Sequence, residues 1–139
     1  MIILDTNVLS AVMQATPDPV VADWLDRRPA ESLWLTSITV FEVIFGLELL
    51  APGRRRRELE SAFARCLEED FQGRILHFDA VAAKAAALIA ARRRKTGLAV
   101  EIRDTQIAGI VTARRATLAT RNLRHFSDID ADVIDPWAG

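Results

Sequence analysis

Short apolar runs recur along this chain, each too short for a helix, and helix-forming sequence separates each from the next. Met1-Ile2-Ile3-Leu4 reads as a buried strand, stopped at once by the capping chemistry of Asp5-Thr6-Asn7. Val8, Leu9, Val12 and Met13 then follow at helical spacing, and Pro19 opens a second short helix through Trp24 and Leu25. Trp34-Leu35-Thr36 reads as a strand, and Ser37 as the cap of a helix whose apolar face carries Ile38, Phe41, Phe45 and Leu49. Pro52-Gly53 breaks the chain before an arginine-rich helix that runs to about Asp70. Gly73 to Phe78 predicts a third strand, and Asp79 caps a helix with Val81, Ala85, Leu88 and Ile89 on one face, ended by Gly97. A helix from about Asp104 to Ala113, a strand from Thr117 to Thr120 and a last strand from Ala131 to Ile134 complete the pattern. Strands that alternate with helices predict βαβ units and a parallel sheet covered on both faces.

In such sheets functional groups collect beyond the carboxyl ends of the strands. Asp5 and Asn122 follow predicted strands, and Glu42 and Asp104 stand in the first turns of helices, so four polar residues far apart in sequence can meet at one end. Carboxylates packed together raise one another's pKa, a conflict that a divalent cation removes. Oxygen ligands suit Mg²⁺ or Mn²⁺, and a bound ion activates water and offsets charge on a phosphate. No cysteine–histidine set for zinc is present, with one cysteine and two histidines in the chain. Taken singly, each acid also has a structural role open to it. Asp5 or Asn7 caps the first helix, Thr39-Val40-Phe41-Glu42 fits a capping box, and Asp104 complements a helix dipole. Glu42 shares a face with Ile38 and Phe45, where a carboxylate needs a partner or a metal.

These segments resemble one family in order. Met1-Ile2-Ile3-Leu4-Asp5-Thr6-Asn7-Val8-Leu9-Ser10 is similar to the opening of PIN-domain toxins of the VapC type. Thr36 to Gly46, Arg103-Asp104-Thr105-Gln106-Ile107-Ala108 and Ala119-Thr120-Arg121-Asn122-Leu123-Arg124-His125-Phe126 resemble the family's second, third and fourth motifs, in wording closest to the FitB-like branch. The resemblance implies an α/β PIN-like three-layer α/β/α sandwich around a central, mostly parallel sheet. It implies an Mg²⁺- or Mn²⁺-dependent endoribonuclease, the toxic component of a type II toxin–antitoxin system, which leaves a 5′-phosphate and a 3′-hydroxyl. Carried over by motif, Asp5, Glu42 and Asp104 are the catalytic metal ligands, with Thr6, Asn7, Thr120 and Asn122 in support. Many relatives carry a further acid in the fourth motif, where this chain has Asn122 or His125. That departure puts a second tightly held metal in doubt, with Asp128 as a candidate substitute. The resemblance also implies a cognate antitoxin whose tail covers the acidic pocket, a homodimer, and contact with operator DNA only through the antitoxin. Val20, Val21 and Trp24 are the expected apolar surface for such contacts.

Composition sets the remaining bounds. With 139 residues, half of them hydrophobic, the chain suits one compact domain, and no apolar run is long enough for a membrane span. The start of the chain has no signal-peptide pattern, which predicts a cytoplasmic protein. Cys66, in an apolar-periodic stretch, reads as inert. The net charge of −1 excludes a basic nucleic-acid binder of the whole-molecule kind. The clusters Arg54-Arg55-Arg56-Arg57 and Arg92-Arg93-Arg94-Lys95 read either as solvated helix surface or as phosphate contacts. His77 reads as structural, His125 as structural or phosphate-contacting, and the tryptophans as core or interface, with Trp137 as the exposed one. Two rival functions remain. A non-catalytic PIN module in a DNA-binding regulatory complex with its antitoxin fits the missing fourth acid. A phosphoacceptor receiver-like domain requires an acidic pair after the first strand, and Asp5-Thr6-Asn7 does not supply it.

Overall fold

The computed structural model describes residues 1–138. Five parallel strands form the sheet: β1 (Ile2–Leu4), β2 (Leu33–Thr36), β3 (Ile75–Leu76), β4 (Thr117–Ala119) and β5 (Val133–Ile134). Their spatial order is β3-β2-β1-β4-β5, with Ile2 in register with both Leu33 and Thr117. The chain therefore builds outward from β1 in one direction and later returns to build in the other. The crevice between the carboxyl ends of β1 and β4 is the topological switch point, where α/β sheets place their sites. Six helices flank the sheet: α1 (Thr6–Met13), α2 (Pro19–Asp26), α3 (Ser37–Glu48), α4 (Arg54–Arg65), α5 (Ala80–Lys95) and α6 (Ile102–Arg114). Between β4 and β5 the connection is only a 3₁₀ turn, Leu123–Phe126, rather than a full helix.

Successive strand residues face opposite layers. Ile3 and Leu118 point to the layer of α5 and α6, with Ile107, Ile110, Val111 and Phe126. Leu4, Leu35 and Ala119 point to the other, with Val8, Leu9, Val21, Trp24 and Phe63 from α1, α2 and α4. Gly109 sets the spacing of α5 against α6, because a Cβ there would stand 2.6 Å from the Ala82 carbonyl oxygen and 2.6 Å from the Ala86 Cβ.

Several expectations are corrected. Helix α3 is apolar on all sides, so periodicity did not identify its inner face. Val40, Val43 and Leu47 pack on the core, while Phe41, Ile44, Phe45 and Leu49 are 57 %, 46 %, 50 % and 72 % exposed. On α5 the buried face is Ala82, Ala86, Ile89 and Arg93, and Val81 and Leu88 are exposed. Of the early apolar residues Val20 is exposed, but Val21 and Trp24 are core. The cap of α3 is Thr36, whose hydroxyl accepts from the Thr39 N–H, rather than Ser37. The cap of α6 is Glu101, so this helix starts before Asp104. His77 lies beyond β3 and is exposed. Trp137 is not a free side chain. Its indole N–H donates to Asp18 at 2.9 Å, and the Arg121 guanidinium lies over its ring at 4.7 Å. Burial, with Asp70 close by, pushes the half-buried Cys66 thiol up to about 11, which agrees with an inert side chain.

Candidate functional site

Asp5 occupies the first position after β1 and is 3 % exposed. Its main chain is tied to β4 through the Ala119 carbonyl at 2.9 Å, which places it at the switch point. One carboxylate oxygen accepts the Thr6 N–H at 2.8 Å and so caps α1. The other accepts the Thr120 hydroxyl at 2.7 Å and the Asn7 amide at 3.2 Å. Thr120, fully buried after β4, accepts the Asn122 N–H at 3.0 Å through the same hydroxyl. Asn7 in turn accepts the Arg121 N–H at 3.2 Å, so the turn after β4 and the first turn of α1 are laced together around Asp5. Asn122 thus takes part through its main chain, and its side chain is exposed.

Glu42 is the sixth residue of α3, so the capping-box alternative falls: the helix begins one turn earlier. Its carboxylate accepts the Thr6 hydroxyl at 2.8 Å and lies 3.6 Å from the Arg103 guanidinium. Thr6 is the end of a file of hydroxyls that sequence reasoning missed. The buried Thr36 hydroxyl donates to Thr39 at 3.5 Å, and Thr39 lies 3.0 Å from Thr6. With Thr6 donating to Glu42, Thr39 donates to Thr6 and each proton has one place to go. A threonine at the cap and another three residues into the helix was the available signal.

Asp104 lies in the first turn of α6, where the Glu101 side chain accepts its N–H at 2.7 Å. Its carboxylate stands 2.9 Å from Nδ1 of His125, which lies on the turn after β4. His125 therefore stands beside the acidic site, with a carboxylate as its partner. Asp128 does not substitute for a fourth acid, since Arg93 engages it at 2.7 Å and keeps its carboxyl below the ordinary range.

Electrostatics binds the three acids into one site. Burial raises the Asp5 carboxyl from 3.8 to about 6, and the charges of Asp104 and Glu42 add to the rise against the hydrogen bonds from Thr120 and Thr6. Asp5 is thus a buried carboxylate with hydroxyl and amide donors, two acidic neighbours and, among the described residues, no salt-bridge partner. Its donor set is all oxygen, which fits a hard divalent cation. Among the described residues no three acidic, cysteine or histidine side chains already converge as ligands. Glu42 and Asp104 face Thr6 and His125 instead. Both acidic side chains are 21 % exposed, and a change of rotamer would turn either toward an ion beside Asp5.

The clefts divide in the same way. One of about 930 Å³, lined by Leu9, Val12, Leu25, Cys66 and Phe71 among others, contains none of the three acids. One of about 520 Å³, lined by Asn7, Ser10, Gln14, Arg121 and Trp137 among others, shares Asn7 with the acidic site. The first basic cluster is partly paired surface, with Arg54 on Glu58 and Arg56 on Glu48 and Glu60.

The chain is 40 % identical over 99 % of its length to the plasmid stability protein StbB of Pseudomonas syringae pv. tomato, and covers 99 % of it. It is 35 % identical to the VapC ribonuclease Y4jK of Sinorhizobium fredii and 34 % to the toxin FitB of Neisseria gonorrhoeae, over 99 % of this chain and 98 % and 99 % of theirs. Its fold superposes on the structure of FitAB bound to an IR36 DNA fragment with a TM-score of 0.90, at 34 % identity, covering 99 % of this chain and 96 % of that one. The PIN domain family model matches residues 2–132, and with the parallel α/β/α architecture around Asp5 it establishes that this chain belongs to the PIN-domain family.

Proposed function

We propose that this chain is a metal-dependent endoribonuclease, the toxin of a type II toxin–antitoxin pair, acting as one PIN domain. The observation that carries the reading is Asp5, buried at the switch point with a raised carboxyl and two acidic neighbours. Asp5, Glu42 and Asp104 would hold Mg²⁺ or Mn²⁺, which when bound supplies water activation and offsets charge on the phosphate. The chain's own residues set the stage. Thr120, Thr6 and Asn7 hold Asp5 in one orientation, and the hydroxyl file through Thr39 holds Glu42. Arg103, 3.6 Å from Glu42 and half-exposed, can take a phosphoryl oxygen of an incoming strand. The relatives named as a VapC ribonuclease and as a toxin support both halves of the proposal.

Purified protein is expected to cut a mixed small-RNA pool with Mg²⁺ or Mn²⁺, to stop in EDTA, and to lose cutting in Asp104→Asn. Folded, partner-free protein that cuts nothing under any metal would favour the non-catalytic module instead.

The partner reading is a cognate antitoxin that masks the site, with DNA contacted only through it, as suits the FitAB–DNA assembly. No helix among the described residues is long and apolar enough to cross a membrane. The outer face of α3, where Phe41 and Phe45 stack at 5.9 Å, suits a second copy of this chain. Phe41→Glu is expected to convert a dimer to a monomer in sedimentation. A parent that is already monomeric at tens of micromolar would remove α3 as a dimer face.

A further inference from the structure

Arg93 reads in the sequence as one of four consecutive basic residues, Arg92 to Lys95, yet it is 4 % exposed. It continues the buried face of α5 that Ala82, Ala86 and Ile89 begin. All three of its guanidinium nitrogens donate. Nε donates to one oxygen of Asp128 at 2.7 Å and Nη2 to the other at 2.9 Å. Nη2 also donates to the His125 carbonyl at 2.7 Å, and Nη1 to the Thr105 hydroxyl at 3.2 Å.

These partners lie on the two segments that present Asp104. Thr105 is its neighbour on α6, and its hydroxyl donates to the Glu101 carbonyl at 2.7 Å, so the first turn of that helix is pinned. His125 carries the ring that stands on Asp104 at 2.9 Å. Burying a guanidinium is costly, and an apolar side chain of similar volume would hold α5 against the core as well. Phe126 and Ile129 already anchor the turn in the core, both buried. What the planar fork adds is direction, because a bidentate arginine fixes the angle of its carboxylate and of the carbonyl beside it.

We propose that Arg93 is a positioning residue of the acidic site: it clamps the turn 122–128 to α6, so that the His125 ring holds the Asp104 carboxylate ready for a divalent cation. The inference rests on the reading of Asp5, Glu42 and Asp104 as cation ligands. In this arrangement His125 uses one oxygen of Asp104 and leaves the other free, the pattern by which residues behind a ligand orient it.

The test is a Mn²⁺ titration with the free ion read by electron paramagnetic resonance, on the parent, Arg93→Met, Arg93→Lys and Ile89→Ala. Ile89→Ala lowers stability from the same buried face without touching the clamp. Arg93→Met is expected to bind Mn²⁺ about tenfold or more weakly, Arg93→Lys to recover part of the loss, and Ile89→Ala to match the parent within about twofold. Parent-like affinity in Arg93→Met, or an equal loss in Ile89→Ala, would overturn the clamp. Nitrogen-15 histidine spectra of the metal-free proteins provide the independent readout. The chain has two histidines, and only His125 should lose its hydrogen-bonded ring signal in Arg93→Met. A parent that binds no Mn²⁺ sinks the cation reading, and an unchanged His125 signal then sinks the clamp as well.

Discussion

Asp5→Asn is expected to abolish RNA cleavage and, at neutral pH, to make the metal-free protein more stable. Loss of activity follows from the loss of the most buried of the three proposed ligand charges, and the rate should fall by on the order of 10³-fold or more. The gain in stability follows from the sign of the Asp5 shift. Its carboxyl is raised from 3.8 to about 6 in the folded protein, so the fold favours the protonated form. A raised acid withholds stability as pH climbs from the unfolded value through the folded one, about 3 kcal/mol above pH 6 for this shift. Asparagine removes the charge. It does not recover the whole amount, because its amide nitrogen meets the Asn7 amide wherever it faces that side. A net gain of about 1–2 kcal/mol in urea unfolding at pH 7.5 is expected, shrinking toward zero by pH 4. Mn²⁺ should stabilise the parent and leave the variant nearly unmoved. A variant less stable than the parent at pH 7.5 would show that the carboxylate is held comfortably and needs no ion.

The other large effect is expected at Gly109. Its Cβ would meet the Ala82 oxygen at 2.6 Å, the Ala86 Cβ at 2.6 Å and the Ala86 nitrogen at 2.9 Å, and two of these are backbone atoms that cannot swing aside. Alanine should help α6 by up to about 1 kcal/mol through helix propensity alone. The forced separation of α5 and α6 should outweigh it, for a net loss of about 2–3 kcal/mol and a melting point lower by roughly 10 °C. Gly109→Val should leave little folded protein. A Gly109→Ala protein that melts with the parent would mean that the two helices can part at no cost.

The strands and the caps of α1 and α5 were legible because they depend on local chemistry. A four-residue apolar run ended by Asp5-Thr6-Asn7 has few other ways to fold, and Asp79 caps α5 as read. The placing of Asp5 after a strand and of Asp104 in the first turn of a helix was legible, and the structure brings the charges of Asp104 and Glu42 to bear on Asp5. What was not legible depends on which surface another element covers. α3 is apolar all round, so its pattern could not distinguish the side of Val43 from the side of Phe45. Arg93 was hidden by its basic neighbours, although it lies eleven residues after Ala82, on the row where α5 meets the core. Thr36 and Thr39 carried only ordinary capping signals, and their link to Glu42 passes through Thr6, thirty-three residues before Thr39.

The order of the strands has a consequence for synthesis. β1 emerges first from the ribosome, but its second neighbour, β4, is made more than a hundred residues later. Until Thr117 to Thr120 have been translated, Asp5 has neither its Thr120 hydroxyl nor the main-chain tie to Ala119. A chain made past Asp104 but short of β4 therefore carries all three acids while Asp5 still lacks these ties. Nearly all of the polypeptide must leave the exit tunnel before the surroundings of Asp5 can close, so the first strand to be made is among the last to be completed.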